Sequence, residues 1–419
     1  MAGDRIHPAR AQSRGETRVR RRRILFLSRS YPNNVFPLLG LWIERLVRHC
    51  SSECDISVIS PVPYYPPVPG LRQHTRFRDV VRYAKHEQVD VYYPRFLVGP
   101  GRSLYLTEAW AYYYSARVIA QRLHAQAPLD LIHAHFMYPD GVAAARIGTK
   151  LGIPVVVTEH APWHPNWMEK SPSVRKQAIS AARSSRCQIA VSNSVRDTIL
   201  HFTGQPEKVR VIPNGVDGDV FTEPADEHQR KVDQILFVGL INFNKGVDTL
   251  LKAMKLLASR APKLRLVLVG GSFYRNTGFQ ERQLRLLAQN LNLQSSVEFV
   301  GMQPPSEVAR YMRESSMLVL PSRAESFGAV LVEALSSGTP VVATRCGGPE
   351  DIVTPDNGLL IERDNPEALA SAIVTLQDRR SKYESSQLRR AALQRFSWLR
   401  VARQNLDLYS EIVEMSQGQ

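Results

Sequence analysis

The feature that most narrows the possible folds is a repeated alternation of short apolar runs with stretches of helical length. In the first half the runs are "ILFLS" (24–28), "DISVIS" (55–60), "LDLIHAH" (129–135), "IPVVVTE" (153–159), "CQIAVS" (187–192) and "VRVIPN" (209–214). In the second half they are "QILFVG" (234–239), "LRLVLVG" (264–270), "VEFVG" (297–301), "SMLVLPS" (316–322) and "TPVVAT" (339–344). Strict apolar–polar alternation would mark strands with one wet face. These runs are apolar at successive positions, so both faces need cover, which is the demand of a parallel sheet. The segments between them, such as 107–126 and 365–377, have helical length and spacing. The pattern predicts an α/β chain of two doubly wound units.

A length of 419 residues exceeds one ordinary core and agrees with two domains. The expected division is a basic, disordered arm at 1–22, a first domain at 23–215, a linker at 216–231, a second domain at 232–396 and a terminal helix at 397–419. The linker stretch is polar, acidic and without apolar period. The formal net charge is +15. Residues 1–23 hold eight arginines against Asp4 and Glu16. Such a balance favours polyanions, anionic membrane surfaces or phosphate-bearing substrates. No nucleic-acid-binding module is visible, so nucleic acid is not an expected partner.

Other classes are excluded or left without support. The four cysteines, at 50, 54, 187 and 346, make neither a disulfide framework nor a zinc site, which points to a reducing, cytoplasmic setting. No apolar run reaches membrane-spanning length, and "ILFLS" is too short for a signal peptide. No G-x-G-x-x-G follows a strand and no G-x-S-x-G elbow occurs, which argues against a nicotinamide dehydrogenase or a serine hydrolase. "DGD" (217–219) matches a metal-binding tripeptide, but its place in the linker favours a turn. No metal and no other cofactor is expected. The Pro-rich "PVPYYPPVPG" (61–70) reads as a stiff connection or as an acceptor-side lip.

The candidate site centres on "ESFGAVLVE" (325–333), between a strand and a helix. Ligands of such folds sit at the carboxyl ends of strands, which places Arg323, Glu325, Ser326, Phe327 and Gly328 at the mouth of the second domain. Gly328 allows close backbone approach, and the helix after it offers open N–H groups to a diphosphate. Glu325 and Glu333 would then reach hydroxyls on either side of the phosphates. At the first strand–helix junction Gly40 opens a helix at Leu41 to Cys50 and is a further donor-binding candidate. His133 and His135 end one strand and face the same side. A metal site lacks a partner there, so a substrate contact or strand-end packing remains, and His135 lies furthest out. Tyr31, His133, Glu159 and His160 are the acceptor-side candidates, with a structural role as the alternative.

"ESFGAVLVE" matches the E-x7-E pattern of glycosyltransferase family 4, the retaining enzymes with the GT-B fold. "PNGVD" (213–217), "FVGLINFNKGVDTLL" (237–251), "VEFVGMQPPSEVARYMRESSMLVLPS" and "GTPVVATRCGGPEDIV" resemble further family segments in order and spacing. "SRSYPNNVFPLLGLWIERLV" (28–47) and "HAHFMYPDGVAAARIGTKLGIPVVVTEH" (133–160) resemble the bacterial branch acting on cell-surface polysaccharides. The resemblance implies two Rossmann-like domains facing a cleft, with a last helix that crosses back to the first. It implies a nucleoside diphosphate sugar as donor and a glycan or polyprenyl-linked acceptor. It further implies retention of configuration without a divalent ion. Residue by residue, Glu325 contacts the donor sugar, Glu333 the ribose, Lys245 in the loop after Gly239 the diphosphate, and a histidine near His135 the reacting carbon. His135, Lys245 and Glu325 are therefore the expected catalytic residues. The family places an arginine where this chain has Leu240, so Lys245 works with another cation, for which Arg323 is the candidate, or donor binding is weaker. A nucleotide-sugar epimerase or a degenerate donor-binding protein of the same fold is the alternative.

Overall fold

A computed structural model of the chain describes residues 20–65, 72–99, 105–163, 171–271 and 278–418. Most of the Arg-rich arm and the end of the Pro-rich segment, 66–70, lie outside the described residues. The first half contributes β1 (Arg22–Leu27), β2 (Cys54–Ile59), β3 (Val62–Tyr64), β4 (Tyr83–His86), β5 (Val89–Tyr92), β6 (Arg95–Leu97), β7 (Leu131–His135), β8 (Val155–Glu159), β9 (Cys187–Ala190) and β10 (Val209–Val211). Eight of these form one sheet in the order β10-β9-β8-β7-β1-β2-β5-β4, while β3 and β6 pair separately. All neighbours in the large sheet are parallel except β4 on β5 at the edge. Leu25 of β1 is registered with Ser57 on one side and Ile132 on the other.

The second half contributes β11 (Lys231–Val238), β12 (Arg265–Val269), β13 (Val297–Gly301), β14 (Ser315–Leu320), β15 (Val341–Thr344) and β16 (Gly358–Ile361). They form a wholly parallel sheet in the order β13-β12-β11-β14-β15-β16. Strand order reverses between β1 and β7 in the first sheet and between β11 and β14 in the second. At such a point neighbouring connections leave on opposite faces and open a crevice at the carboxyl ends of the strands.

Burial explains the apolar runs. On one face of the first sheet, Leu25, Leu27, Ile132 and Val157 pack under the helices Glu108–Gln126, Val142–Leu151 and Pro172–Ser184. On the other, Ile24, Phe26, Val58 and Leu131 pack against the helices Leu41–Cys50 and Trp398–Gln417. The last helix therefore belongs by packing to the first domain. Arg22 Nη2 lies 3.3 Å from Glu414 Oε1, and Arg403 Nη2 lies 2.6 Å from Glu53 Oε1. The chain crosses between halves twice, and the crossings touch: Val216 N–H donates to Phe396 O at 2.8 Å.

One expected boundary needs adjustment here. The arm is expected to run through residue 22, yet Arg20 already pairs with Asp130 at 2.8 Å and β1 begins at Arg22. Asp130 also accepts from the Arg23 N–H at 2.7 Å, so the strand is anchored by charge before its apolar residues begin. The short strands β3 to β6 and β16 have too few apolar residues to stand out by composition. The "DGD" tripeptide is a turn: Asp217 Oδ1 accepts from the Asp219 N–H at 3.2 Å, and Asp217 Oδ2 pairs with Arg45 at 3.3 Å.

Candidate active site

Two loops leave the reversal point of the second sheet side by side. The first follows β11 and carries Lys245. Gly239 starts it, its N–H donating to Val269 O at 3.0 Å. Asn242 Oδ1 accepts from the Lys245 N–H at 2.9 Å and fixes the turn. Gly246, at φ 68°, lies so close to Pro321 that a Cβ would stand 1.8 Å from the Pro321 carbonyl oxygen. Only glycine tolerates both that conformation and that approach. The second loop follows β14 and carries Glu325. Its backbone is clamped to the "CGGPED" segment, Glu325 N–H donating to Cys346 O at 3.2 Å and Gly348 N–H to Glu325 O at 2.8 Å.

The two loops meet in one ion pair. Lys245 Nζ lies 2.5 Å from Glu325 Oε1, and the Ser322 hydroxyl donates to the same oxygen at 2.7 Å. Both side chains keep some exposure, 22% and 10%, so the pair is open to a ligand from the cleft. Beside it, Gly328 at φ 91° starts the helix Ala329–Ser336, which no side chain caps. Its first N–H groups have no intrahelical partner and form the positive end of the helix dipole. Cation and helix terminus together make an anion site next to a carboxylate.

Glu333 sits further along that helix. Its carboxyl makes no hydrogen bond among the described residues, and burial pushes it up to about 7.

Arg323 does not supply the second cation. Its guanidinium makes a bidentate pair with Asp248, at 2.8 and 2.9 Å, and its Nε lies 2.7 Å from Asp364. A further N–H donates to the Phe243 carbonyl. Burial alone would raise Asp248, but the Arg323 hydrogen bonds outweigh it and hold the carboxyl below its usual range. With two carboxylates already on it, Arg323 braces the Lys245 loop against the Glu325 loop. Phe327 is likewise corrected: its ring is buried against Phe396, centroids 5.8 Å apart, so only its backbone is left to a ligand. Ser326 faces the other half, its carbonyl accepting from Ser192 Oγ at 2.5 Å. Asn193 adds two bonds to Asp351, at 2.6 and 2.8 Å. These contacts hold the cleft closed on one side.

The first-domain candidates separate on burial. His133 is fully buried, its Nδ1 2.6 Å from Tyr409 Oη and its Nε2 2.7 Å from Thr158 Oγ1. Both nitrogens are used, and burial pushes it down to about 3, so it is a neutral tie between sheet and last helix rather than an acceptor contact. His135 stacks on it, and His135 Nδ1 lies 2.9 Å from His160 Nε2. His135 is also held neutral, by burial first and then by its histidine neighbours. The expectation that it stands furthest out is not met, since it is 1% exposed. Its Nε2 and the Asn405 Oδ1 have no hydrogen-bond partner among the described residues, and with His160 and Asn214 they belong to residues around a cavity of about 20 Å³, room for a single water. Burial pushes His160 down to about 3.

Glu159 is an internal anchor. Its two oxygens accept from the N–H groups of Met137 (2.9 Å), His160 (3.1 Å) and Ala161 (3.3 Å) and from the Trp163 indole (2.9 Å). Burial pushes it up to about 7 despite these bonds. It is thus neither an acceptor contact nor a free nucleophile. Tyr31 is buried in the core, its hydroxyl pushed up chiefly by burial. Gly40 caps the helix Leu41–Cys50 at φ 68°, where a Cβ would meet the Ser30 carbonyl at 2.0 Å. The motif reading missed Ser322, Asp248, Tyr409, and Asp140, which anchors the turn after β1 by accepting from the Arg29 N–H at 2.6 Å. The "DG" before a helix is the one sequence signal that points to Asp140. No group of three or more His, Cys, Asp or Glu able to hold a metal ion is found among the described residues.

Two α/β domains built on parallel sheets, with loops that meet at the carboxyl ends of the strands, have the architecture of the GT-B glycosyltransferases. Family models agree. The one described as Glycosyltransferase Family 4 matches residues 42–220, and the one described as Glycosyl transferases group 1 matches 221–392. The D-inositol 3-phosphate glycosyltransferase of Jonesia denitrificans is 31% identical over 307 residues, 67% of this chain and 71% of that one. A Bacillus subtilis glycosyltransferase named for teichuronic acid biosynthesis is 28% identical over 384 residues, 87% of this chain and 90% of its own. Solved HepE from Anabaena, in complex with UDP, shares the fold at TM-score 0.70 and 21% identity, covering 93% of this chain and all of that one. The chain belongs to glycosyltransferase family 4.

Proposed function

We propose that this glycosyltransferase is a retaining, metal-independent enzyme that moves a hexosyl group from a nucleoside diphosphate sugar to a glycan or polyprenyl-linked acceptor in cell-surface polysaccharide synthesis. The observation that carries the reading is the Lys245–Glu325 pair beside the uncapped helix at Gly328. The diphosphate takes Lys245 and the helix N–H groups. Glu325 is thereby released to the hydroxyls of the transferred sugar, and Glu333 accepts the ribose hydroxyls. As the bond between the anomeric carbon and the diphosphate oxygen breaks, charge grows on that oxygen, where the cation and the N–H groups already point.

The acceptor hydroxyl attacks the anomeric carbon from the face the diphosphate leaves. Its proton passes to the departing phosphate oxygen, so no protein nucleophile is needed. The engagement of both Glu159 oxygens by the N–H groups of Met137, His160 and Trp163 supports this route over double displacement. His135 and His160, neutral and adjacent, set the polar floor of the first-domain side. Polysaccharide synthesis rests on the resemblance to one relative named for teichuronic acid biosynthesis, and a nucleotide donor on a neighbour solved with UDP. The proposed place of action is the cytoplasmic side of an anionic membrane, in keeping with the charge of +15.

The test is a donor screen with UDP-, GDP-, ADP- and dTDP-sugars, with and without EDTA, reading nucleoside diphosphate release in the parent, Glu325→Ala and Lys245→Ala. EDTA-insensitive release from one donor, lost in both variants, is the expected result. Binding without release in the presence of membrane extract would point to a donor-binding protein instead. Release that both variants retain would remove the site assignment.

A further inference from the structure

The three helices that cover the outer face of the first sheet, Glu108–Gln126, Val142–Leu151 and Pro172–Ser184, lie side by side. Their outward surface is unusual in two ways. The first is charge. The first helix carries Arg117 and Arg122, the second Arg146 and Lys150, and the third Arg175, Lys176 and Arg183. Against these stands a single acidic residue, Glu108, which is buried and paired with Arg29 at 3.0 Å. Elsewhere on the protein, surface arginines commonly pair with carboxylates, as Arg310 does with Glu307 and Glu314. On these three helices no such pairing is seen for the seven cations among the described residues.

The second feature is an apolar line. Trp110, Tyr114 and Val118 follow one another at four-residue spacing and share one stripe of the helix, and Leu106 in the turn just before it continues the spacing. Leu106, Trp110, Tyr114 and Val118 are exposed by 50, 43, 52 and 61%. Arg146 stacks over the Trp110 ring at 3.6 Å and Arg117 over the Tyr114 ring at 4.7 Å. Between the three helices lies a groove of about 620 Å³, with Trp110 on one wall and Arg146, Lys150 and Lys176 on the others. Aromatic rings beside basic heads, with aliphatic side chains in line, match the headgroup level of a bilayer, where ring and cation meet lipid phosphate. Nucleic acid would be served by the charge but not by exposed Leu106 and Val118.

We infer that this face docks on an anionic phospholipid bilayer, with the groove taking lipid phosphate. The geometry links the docking face to the cleft. Glu108, at the start of the first helix, is held by Arg29, two residues past the end of β1 at the cleft end of the sheet. The stripe therefore begins beside the cleft. That a lipid-linked acceptor uses this proximity rests on the proposed function; the docking itself does not.

The experiment uses the full chain and vesicles of phosphatidylcholine, alone or mixed with phosphatidylglycerol. Sedimentation is measured for the parent, for Lys150→Glu/Lys176→Glu, for Trp110→Phe and for Trp110→Ser/Tyr114→Ser. A control with the same charge change on the second domain is Lys255→Glu/Lys263→Glu. The parent is expected to bind only the mixed vesicles, and less so as salt rises. The charge reversal should lower partitioning by about tenfold or more, the aromatic removal should lower it too, and the control should stay within about twofold. Brominated lipid should quench parent tryptophan emission more than that of Trp110→Phe, a readout that survives if the harsher variants fold poorly. Equal binding of the parent and the charge reversal, or equal quenching, would overturn the proposal and direct attention to the Arg-rich arm. Displacement of vesicles by single-stranded RNA at equal phosphate would assign the face to nucleic acid instead. Nucleotide-sugar binding, followed in parallel, separates failure of this inference from failure of the donor-site reading.

Discussion

Glu333→Gln isolates the carboxyl proposed to hold the ribose. Glu333 is the acid in the donor site that burial moves into the physiological range, up from 4.5 to about 7. Hydroxyl groups donate to its ionised form, so binding should favour loss of the proton. If only the ionised form grips the ribose, the competent fraction climbs from roughly one-tenth at pH 6 to nine-tenths at pH 8, and affinity rises about tenfold across that range. A nucleotide sugar is the right probe, since its diphosphate is esterified at both ends and does not titrate in this window. Calorimetry at pH 6, 7 and 8 in buffers of different ionisation heat reads both the affinity and the proton released, about half a proton at pH 7. The Gln variant should bind more weakly at pH 8, by about tenfold or more, and show no slope. Stability has the opposite sign. A carboxyl raised in the folded state favours the native protein at low pH and costs stability as pH climbs through 7. The Gln variant should therefore be more stable than its parent at pH 8, by on the order of 1–3 kcal/mol. A pH-flat affinity in the parent, or an unchanged slope in the variant, would refute the assignment of Glu333 to the ribose.

Lys245→Met removes the cation and leaves Glu325 with only Ser322; nucleotide-sugar affinity by calorimetry should fall about a hundredfold, with the melting temperature nearly unchanged. Gly246→Ala puts a methyl against the Pro321 carbonyl; a stability loss of about 1–3 kcal/mol in urea unfolding and loss of donor binding are expected together. Tyr409→Phe leaves His133 Nδ1 without its partner in the core and should cost about 1–3 kcal/mol while donor affinity holds. The buried histidines also set an acid limit. His133 and His160 fall from 6.5 to about 3 in the folded state, so their stabilising effect is present above 6.5 and is lost as pH drops towards 3. His133→Gln should flatten that acid limb in a melting series.

Most of the architecture was legible because buried parallel strands must be apolar on both faces, and eleven such runs were read directly from the sequence. The strands it did not show are edge or paired pieces such as β4 and β5, whose exposed faces dilute the apolar signal. In the candidate site, Glu325 and Glu333 stand out because turn and helix phase tie their spacing to the loop that carries them, whereas Lys245 enters only through the family resemblance; the structure brings Lys245 and Glu325 together. Arg323, Glu159 and His133 were misjudged for one reason. Sequence shows a charge or a ring near the end of a strand, but not that Asp248, the Met137 N–H or Tyr409 comes from another element to occupy it. The partner of His133 is 276 residues away, and no local pattern announces it.

The two chain crossings between the halves have a mechanical consequence. Val216 and Ser397 pair as a β-bridge, and Gly215 lies flat against the Trp398 indole, where a Cβ would stand 2.3 Å from the ring. Two tethers laid together and stitched by hydrogen bonds do not behave like one flexible string. They resist twisting and sideways slip and leave one soft direction, a swing about the line on which they lie. Opening the cleft is then a rotation with a single degree of freedom, and the Ser192–Ser326 and Asn193–Asp351 contacts are the latch such a swing must break and remake at each turnover.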